Sequence, residues 1–133
     1  MHQPNDEPRK SIYYCYQVFP PYLPHGAQPR QKVVIVGAGP VGMTLALLLA
    51  RYRIPSVLIE SEVQVSEGSR AIVYTRRSME ILQQAGVARR IAEVGLPWRF
   101  GNSYYRGHRV FRMEAPHDED SRFYPMINLK QQY

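Results

Sequence analysis

The chain has 133 residues and a mass of 15.4 kDa, enough for one domain at most. Its residues are 44% hydrophobic and 21% charged, which excludes wholesale disorder, and its longest apolar run, Leu45 to Ala50, is far too short to span a bilayer. The net charge of +6 and isoelectric point near 9.7 rest on fourteen arginines and only three lysines, Lys10, Lys32 and Lys130. The arginines between Arg51 and Arg122 come singly or in pairs, with no Cys/His finger spacing and no aromatic-basic signature of an RNA-binding sheet. This pattern indicates neither a nucleic-acid partner nor a membrane, but a solvated basic surface on which a few guanidinium groups can meet phosphates or carboxylates. A single cysteine, Cys15, excludes an internal disulfide and a cysteine-only metal cage. With no apolar stretch behind the N-terminal basic residues, the expected compartment is the cytoplasm.

Residues 1–31 carry Pro4, Pro8, Pro20, Pro21, Pro24 and Pro29 together with Tyr13, Tyr14 and Tyr16. Six prolines forbid a long helix or an interior strand, so this segment reads as a flexible or loosely docked extension without chemistry of its own. Order is expected from residue 32 onward. Lys32 to Val36 is a short β-branched run ended by glycine, the pattern of a fully buried strand. Pro40 to Tyr52 reads as a helix whose apolar residues leave almost no polar face, so it should be buried on most sides. Ser56 to Glu60 reads as a second buried strand. Strand, helix and strand at this spacing form a βαβ unit with parallel strands.

A polar loop follows over residues 61–69. Thr75 to Ala85 reads as a helix stopped by Gly86, and Ala88 to Val94 as a shorter one broken by Gly95, Leu96 and Pro97. Trp98 to Ala115 turns to strands, with Tyr104-Tyr105 and Val110 to Met113 flanking Arg106-Gly107-His108 as a hairpin. Trp98, Tyr104 and Tyr105 are expected in the core, as strand aromatics usually are. His108 and His117 read as exposed loop histidines. Phe123 to Leu129 reads as a further strand, and Asn128 as the cap of a helix beginning at Leu129.

The motif that carries chemistry is Gly37-Ala38-Gly39-Pro40-Val41-Gly42, a Gly-x-Gly-x-x-Gly turn after a strand and at the start of a helix. Gly37 permits the tight turn, Gly39 removes the side chain where a pyrophosphate would approach, and Gly42, with Ala46 beyond it, brings helix and sheet together. Pro40 in the first helical turn sacrifices no hydrogen bond. The helix N-terminus then offers N–H groups and partial positive charge to a diphosphate. Glu60, at the end of the second strand, stands where an acid accepts ribose hydroxyls. These residues point to dinucleotide binding, and their geometry alone serves NAD and FAD equally.

Val33 to Gly42 resembles the first strand and turn of FAD-containing flavoproteins, in which proline at this position of the turn is common. The segment Gly68-Ser69-Arg70-Ala71 through Arg76-Arg77-Ser78-Met79-Glu80-Ile81-Leu82, completed by Gly86-Val87, resembles the single-component FAD-dependent aromatic hydroxylases of the phenol, hydroxyphenylpropionate and hydroxybenzoate type. The resemblance covers residues 32 to 95 and extends more loosely to Tyr133. It implies an α/β, Rossmann-like FAD-binding unit followed by a β-hairpin region, with residues 32–133 forming the N-terminal portion of a larger domain. It also implies FAD as cofactor, NAD(P)H as co-substrate, and a small aromatic substrate and O2 as partners, with homo-oligomerisation left open. Arg70 matches the arginine that meets the cofactor's phosphate or ribityl side, and Gln131 the glutamine that hydrogen-bonds near the flavin, although Lys130 stands where proline is usual. Arg76 and Arg77 are expected on a solvated helix face. The histidines carry no catalytic pattern, and no catalytic residue is assigned. The alternatives are an NAD(P)-binding domain of a dehydrogenase, which would continue with parallel strands, and a non-catalytic dinucleotide-binding module.

Overall fold

The computed structural model describes residues 7–20, 25–26, 30–67, 71–131 and 133. Arg70 and, of the extension, residues 1–6, 21–24 and 27–29 lie outside the described residues. The chain divides into two compact units whose boundary falls between Ser69 and Arg70, later than the composition break after residue 31.

In the first unit, β1 (Val34–Val36) and β2 (Val57–Ile59) pair in parallel, with Val34 opposite Val57 and Val36 opposite Ile59. Val57 donates to the Val33 carbonyl at 3.0 Å and Gly37 to the Ile59 carbonyl at 2.7 Å, so the ladder runs one residue beyond β1 at each end. Between the strands lies α1 (Pro40–Arg51), as the Pro40 start and the arginine-rich finish predict. Its C-terminus closes in a Schellman turn: Arg53 donates to the Ala50 carbonyl and Ile54 to the Leu49 carbonyl, with Arg53 at φ 57°. Pro55 then prevents any continuation.

The expected deep burial of this βαβ unit is not what forms. Only Ile35 of β1 is buried, while Val36 is 85% exposed, and α1 contains no buried residue. The cause lies in the period-2 alternation of a strand. One helix covers one face of a two-stranded sheet, the face carrying Ile35, and Val34 and Val36 point to the other. High apolar content shows that α1 and the strands can be buried, but among the described residues of this unit no second layer buries them.

The second unit is built on antiparallel pairing. Central β7 (Met126–Asn128) is flanked by β3 (Val73–Thr75) and β4 (Leu96–Trp98). The sequence does not announce β3 or β4, which are three residues long, and β4 contains Pro97; as an edge strand it tolerates the missing N–H. Thr75 ends β3 and caps α2 (Arg76–Ala85), its Oγ1 accepting from the Ser78 N–H at 3.3 Å. Gly86, at φ 87°, terminates α2, and α3 (Ala88–Val94) follows. Met79, Leu82, Ala88 and Ile127 form the buried cluster, with Tyr74, Val87, Ile91 and Phe123 packed against it.

No helix starts at Leu129, contrary to expectation. Leu129 donates to the Ile72 carbonyl at 2.8 Å, extending the pairing of β7 with β3, and the Asn128 side chain accepts from Trp98 Nε1 at 2.7 Å rather than capping. The hairpin forms from β5 (Phe100–Tyr105) and β6 (His108–Glu114). Its turn is shorter than expected: Arg106 and Gly107, at φ 49° and 82°, make a two-residue loop, and His108 pairs with Tyr105 inside the ladder. Tyr104 and Tyr105 are exposed rather than core, because no described residue of the second unit covers the hairpin there. Much of the arginine excess is used on local contacts, with Arg89 paired to Glu93, Arg99 to Glu114, and Arg112 lying 4.1 Å from the centroid of the Phe100 ring. No helix among the described residues is long and apolar enough to cross a membrane.

Candidate dinucleotide site

The parallel strands end side by side, and their ends carry the glycine turn and Glu60. Gly37 leaves β1 at φ 100°, a conformation that L side chains rarely adopt. A Cβ on Gly42 would lie 2.0 Å from the Gly37 carbonyl oxygen and 3.3 Å from Ile35 Cγ2, so the absence of a side chain there sets how closely α1 approaches β1. Gly39 is different. A Cβ built on it meets no atom within 4 Å, so protein packing gives no reason for glycine, and the missing side chain leaves open space at the helix start. Gly39 is the N-cap residue of α1, no side chain caps it, Pro40 occupies the first turn, and that turn carries no acid. The N-terminal N–H groups and the positive end of the helix dipole are thus left to an anion. Val41, in the same turn, is 84% exposed.

Glu60 completes the arrangement, more tightly held than its expected role requires. Its Oε2 accepts from the Ala38 N–H at 2.7 Å. Its Oε1 accepts from the Ser61 N–H at 2.7 Å, the Ser61 hydroxyl at 3.1 Å and the Glu62 N–H at 3.2 Å. The Ala38 amide foremost, then that of Glu62, with Ser61 adding to them, hold this carboxyl below the ordinary carboxylate range despite a small opposing effect of burial. A ribose diol at Glu60 would therefore meet a carboxylate already held in place and share its oxygens with the existing donors. The parts of Ser61 and Glu62 carry no signal in motif spacing.

Gly37, Ala38, Gly39, Pro40, Val41, Gly42 and Glu60 are brought together in the first unit. Gln131 belongs to the second, where its Nε2 donates to the Ala71 carbonyl at 3.1 Å. Arg77 pairs with Glu80 on an exposed helix face, whereas Arg76 is half-buried and donates to the Pro116 carbonyl, unlike the solvated residue expected. His108 is exposed on β6, and His117 is half-buried, its ring stacked 5.2 Å from that of Tyr124. The histidine is partly covered because Tyr124 folds over it.

The family model described as FAD binding domain matches residues 30–132. The chain belongs to the FAD-binding domain family. FAD-dependent monooxygenase apdD of Emericella nidulans is 38% identical over 65 residues, which are 49% of this chain and 10% of that protein. The p-hydroxybenzoate hydroxylase of Acinetobacter baylyi is 39% identical over 70 residues, 51% of this chain and 17% of that one. Among solved structures, flavin-dependent monooxygenase PieE in complex with FAD and substrate superposes with a TM-score of 0.65 and 28% identity, over 80% of this chain and 21% of that one. The chain thus spans between 10% and 21% of the length of these three proteins.

Membership in the FAD-binding domain family decides between the two cofactors that the glycine turn alone leaves equivalent. The residues present fit the ADP half of FAD on structural grounds. There is open space at Gly39, uncapped N–H groups stand behind it, and an ionised carboxylate lies at the adjacent strand end. After β2, the described strands pair antiparallel, as the hairpin pattern predicts and a further run of parallel strands would not.

Proposed function

We propose that this chain is the ADP-binding portion of a flavin-dependent monooxygenase that hydroxylates a small aromatic substrate with NAD(P)H and O2. The observation that carries this reading is the space kept at Gly39 beside the Glu60–Ala38 contact, within the segment that matches the FAD-binding family. In this reading the N-terminal amides of α1 receive the diphosphate and Glu60 receives the ribose. Arg70 serves the phosphate or ribityl side, and Gln131 lies near the flavin. When bound, FAD supplies the redox and oxygen-activating chemistry, and the protein's share is to bind, orient and exclude water. Residues 1–31 are an extension and residues 32–133 a part of the larger domain; the share of each relative that the chain covers supports this. The reading places the protein in the cytoplasm, where NAD(P)H is supplied and an exposed free thiol such as Cys15 is tolerated.

Titration of the chain with FAD, ADP and FMN tests the reading. FAD and ADP should bind with similar, modest affinity, FMN should not bind, and the chain alone should not oxidise NADPH. Binding of FMN in preference to ADP would overturn the assignment of this turn to the ADP half.

A further inference from the structure

We propose that residues 7–19 of the extension form a strap that positions Glu60, with Arg9 as its fastening residue. This rests on the reading of the glycine turn as an ADP site. The family match begins at residue 30, so the strap lies outside what the family shares. It is nonetheless built into the first unit. Tyr16 is buried, and its ring packs edge-on against Tyr14 at 5.0 Å. The strap contacts every residue of the loop from Glu62 to Val65. The Arg9 guanidinium donates to the Val65 carbonyl and to Glu62 Oε2, the latter at 3.4 Å, and the Arg9 N–H donates to Gln64 Oε1 at 3.1 Å. Gln64, only 5% exposed, returns a bond from its Nε2 to the Glu7 carbonyl at 3.0 Å. Phe19 donates to the Val63 carbonyl at 2.7 Å.

Glu62 joins this strap to the site. Its carboxylate takes Arg9 while its N–H holds Glu60 Oε1, and the other oxygen of Glu60 holds the Ala38 N–H of the glycine turn. A contiguous series of hydrogen bonds therefore runs from Arg9 through Glu62 and Glu60 to Ala38. The loop after β2 has no regular secondary structure over residues 61–67, and without the strap its amides would be free to leave Glu60. A long exposed side chain that must be immobilised on binding costs affinity, and one already fixed does not. Arg9 also offsets the charge of Glu62, a second carboxylate close to a site for a diphosphate. Arg9 is thus a positioning residue that acts through Glu60.

Calorimetric titration of the full chain with ADP, with FMN as control, tests this in the wild type, R9A, E60Q and the double variant. R9A should weaken ADP binding about fivefold to tenfold, the scale of one ordinary hydrogen bond, and should add nothing in the E60Q background. Amide exchange should quicken at Ala38, Ser61 and Glu62 while Met79 and Leu82 keep their protection. Q64L, which removes two of the strap's contacts at similar volume, should act in the same direction and serves if R9A loses the protection of α1. Wild-type affinity in R9A or Q64L, or an R9A loss undiminished in the E60Q background, would overturn the strap and leave the glycine-turn site standing. A folded wild type that binds no ADP would overturn the site, and the strap with it.

Discussion

The carboxylate of Glu60 accepts the backbone N–H of Ala38 at 2.7 Å, tying the end of β2 to the turn that follows β1. The bond joins two residues that were expected to serve a ligand separately, and it makes the acid part of the turn's own scaffold. The negative charge is bound to the turn through the Ala38 amide, while the N-terminal amides of α1 carry no side-chain cap and remain available.

Because these donors favour the ionised form, Glu60 should titrate below the ordinary glutamate value, which NMR of the labelled side-chain carboxyl can follow. The sign for stability follows from a folded-state value depressed below the unfolded one. The contribution of Glu60 is fully present above the unfolded value of about 4.5 and is lost as pH falls through the folded value. The stability difference between wild type and E60Q should therefore be constant near neutral pH and shrink under acid. A difference that grows as pH falls would contradict the assignment.

Gly42 and Gly39 should separate stability from binding. At Gly42 an added methyl would sit 2.0 Å from backbone oxygen, which no side chain can relieve, so G42A should destabilise by about 3 kcal/mol in denaturant unfolding. G39A meets no atom, and as an N-cap change it should cost less than about 1 kcal/mol. Its effect should appear in the ADP titration, where the methyl occupies space left for the diphosphate.

The βαβ unit was legible because its signals are local: a β-branched run, a glycine exit, proline in the first helical turn and an acid at the next strand end. The hairpin was legible for the same reason, through Arg106-Gly107. What could not be read depends on residues distant in sequence. Strands β3 and β4 are short and owe their existence to β7, and the Arg9–Gln64 contact joins residues 55 apart. The burial of α1 was misjudged because apolar content shows what a helix can bury, while the neighbours that would bury it are not encoded in the helix. The FAD-type turn was legible from Val33 to Gly42, and the match to the aromatic hydroxylases from the run Gly68 to Leu82 with Gly86-Val87, since these are contiguous motifs.

The C-terminus of α1 offers a stabilising change. Arg53 holds the left-handed position of a Schellman turn at φ 57°, exposed and with its backbone N–H bonded to Ala50. An L residue is strained there and glycine is not, so R53G should stabilise by about 0.5–1 kcal/mol despite the greater freedom of glycine in the unfolded chain. Thermal unfolding should show a rise in midpoint, and R53A should show none.

Gly95 makes the corresponding test in the second unit. It ends α3 by donating to the Ile91 carbonyl at 2.8 Å, and it begins the approach of β4 to β7. A Cβ there would lie 2.4 Å from Ile127 Cγ2 and 2.8 Å from the Ile91 oxygen. The isoleucine belongs to the buried cluster with Met79 and Leu82 and has little room to turn aside, while the carbonyl is backbone and cannot. G95A should therefore cost about 2 kcal/mol, as overpacking does, and weaken amide protection across β4 and β7. The glycine turn lies in the other unit, so ADP affinity should stay at the wild-type value. Loss of ADP binding in G95A while α1 keeps its protection would contradict this prediction.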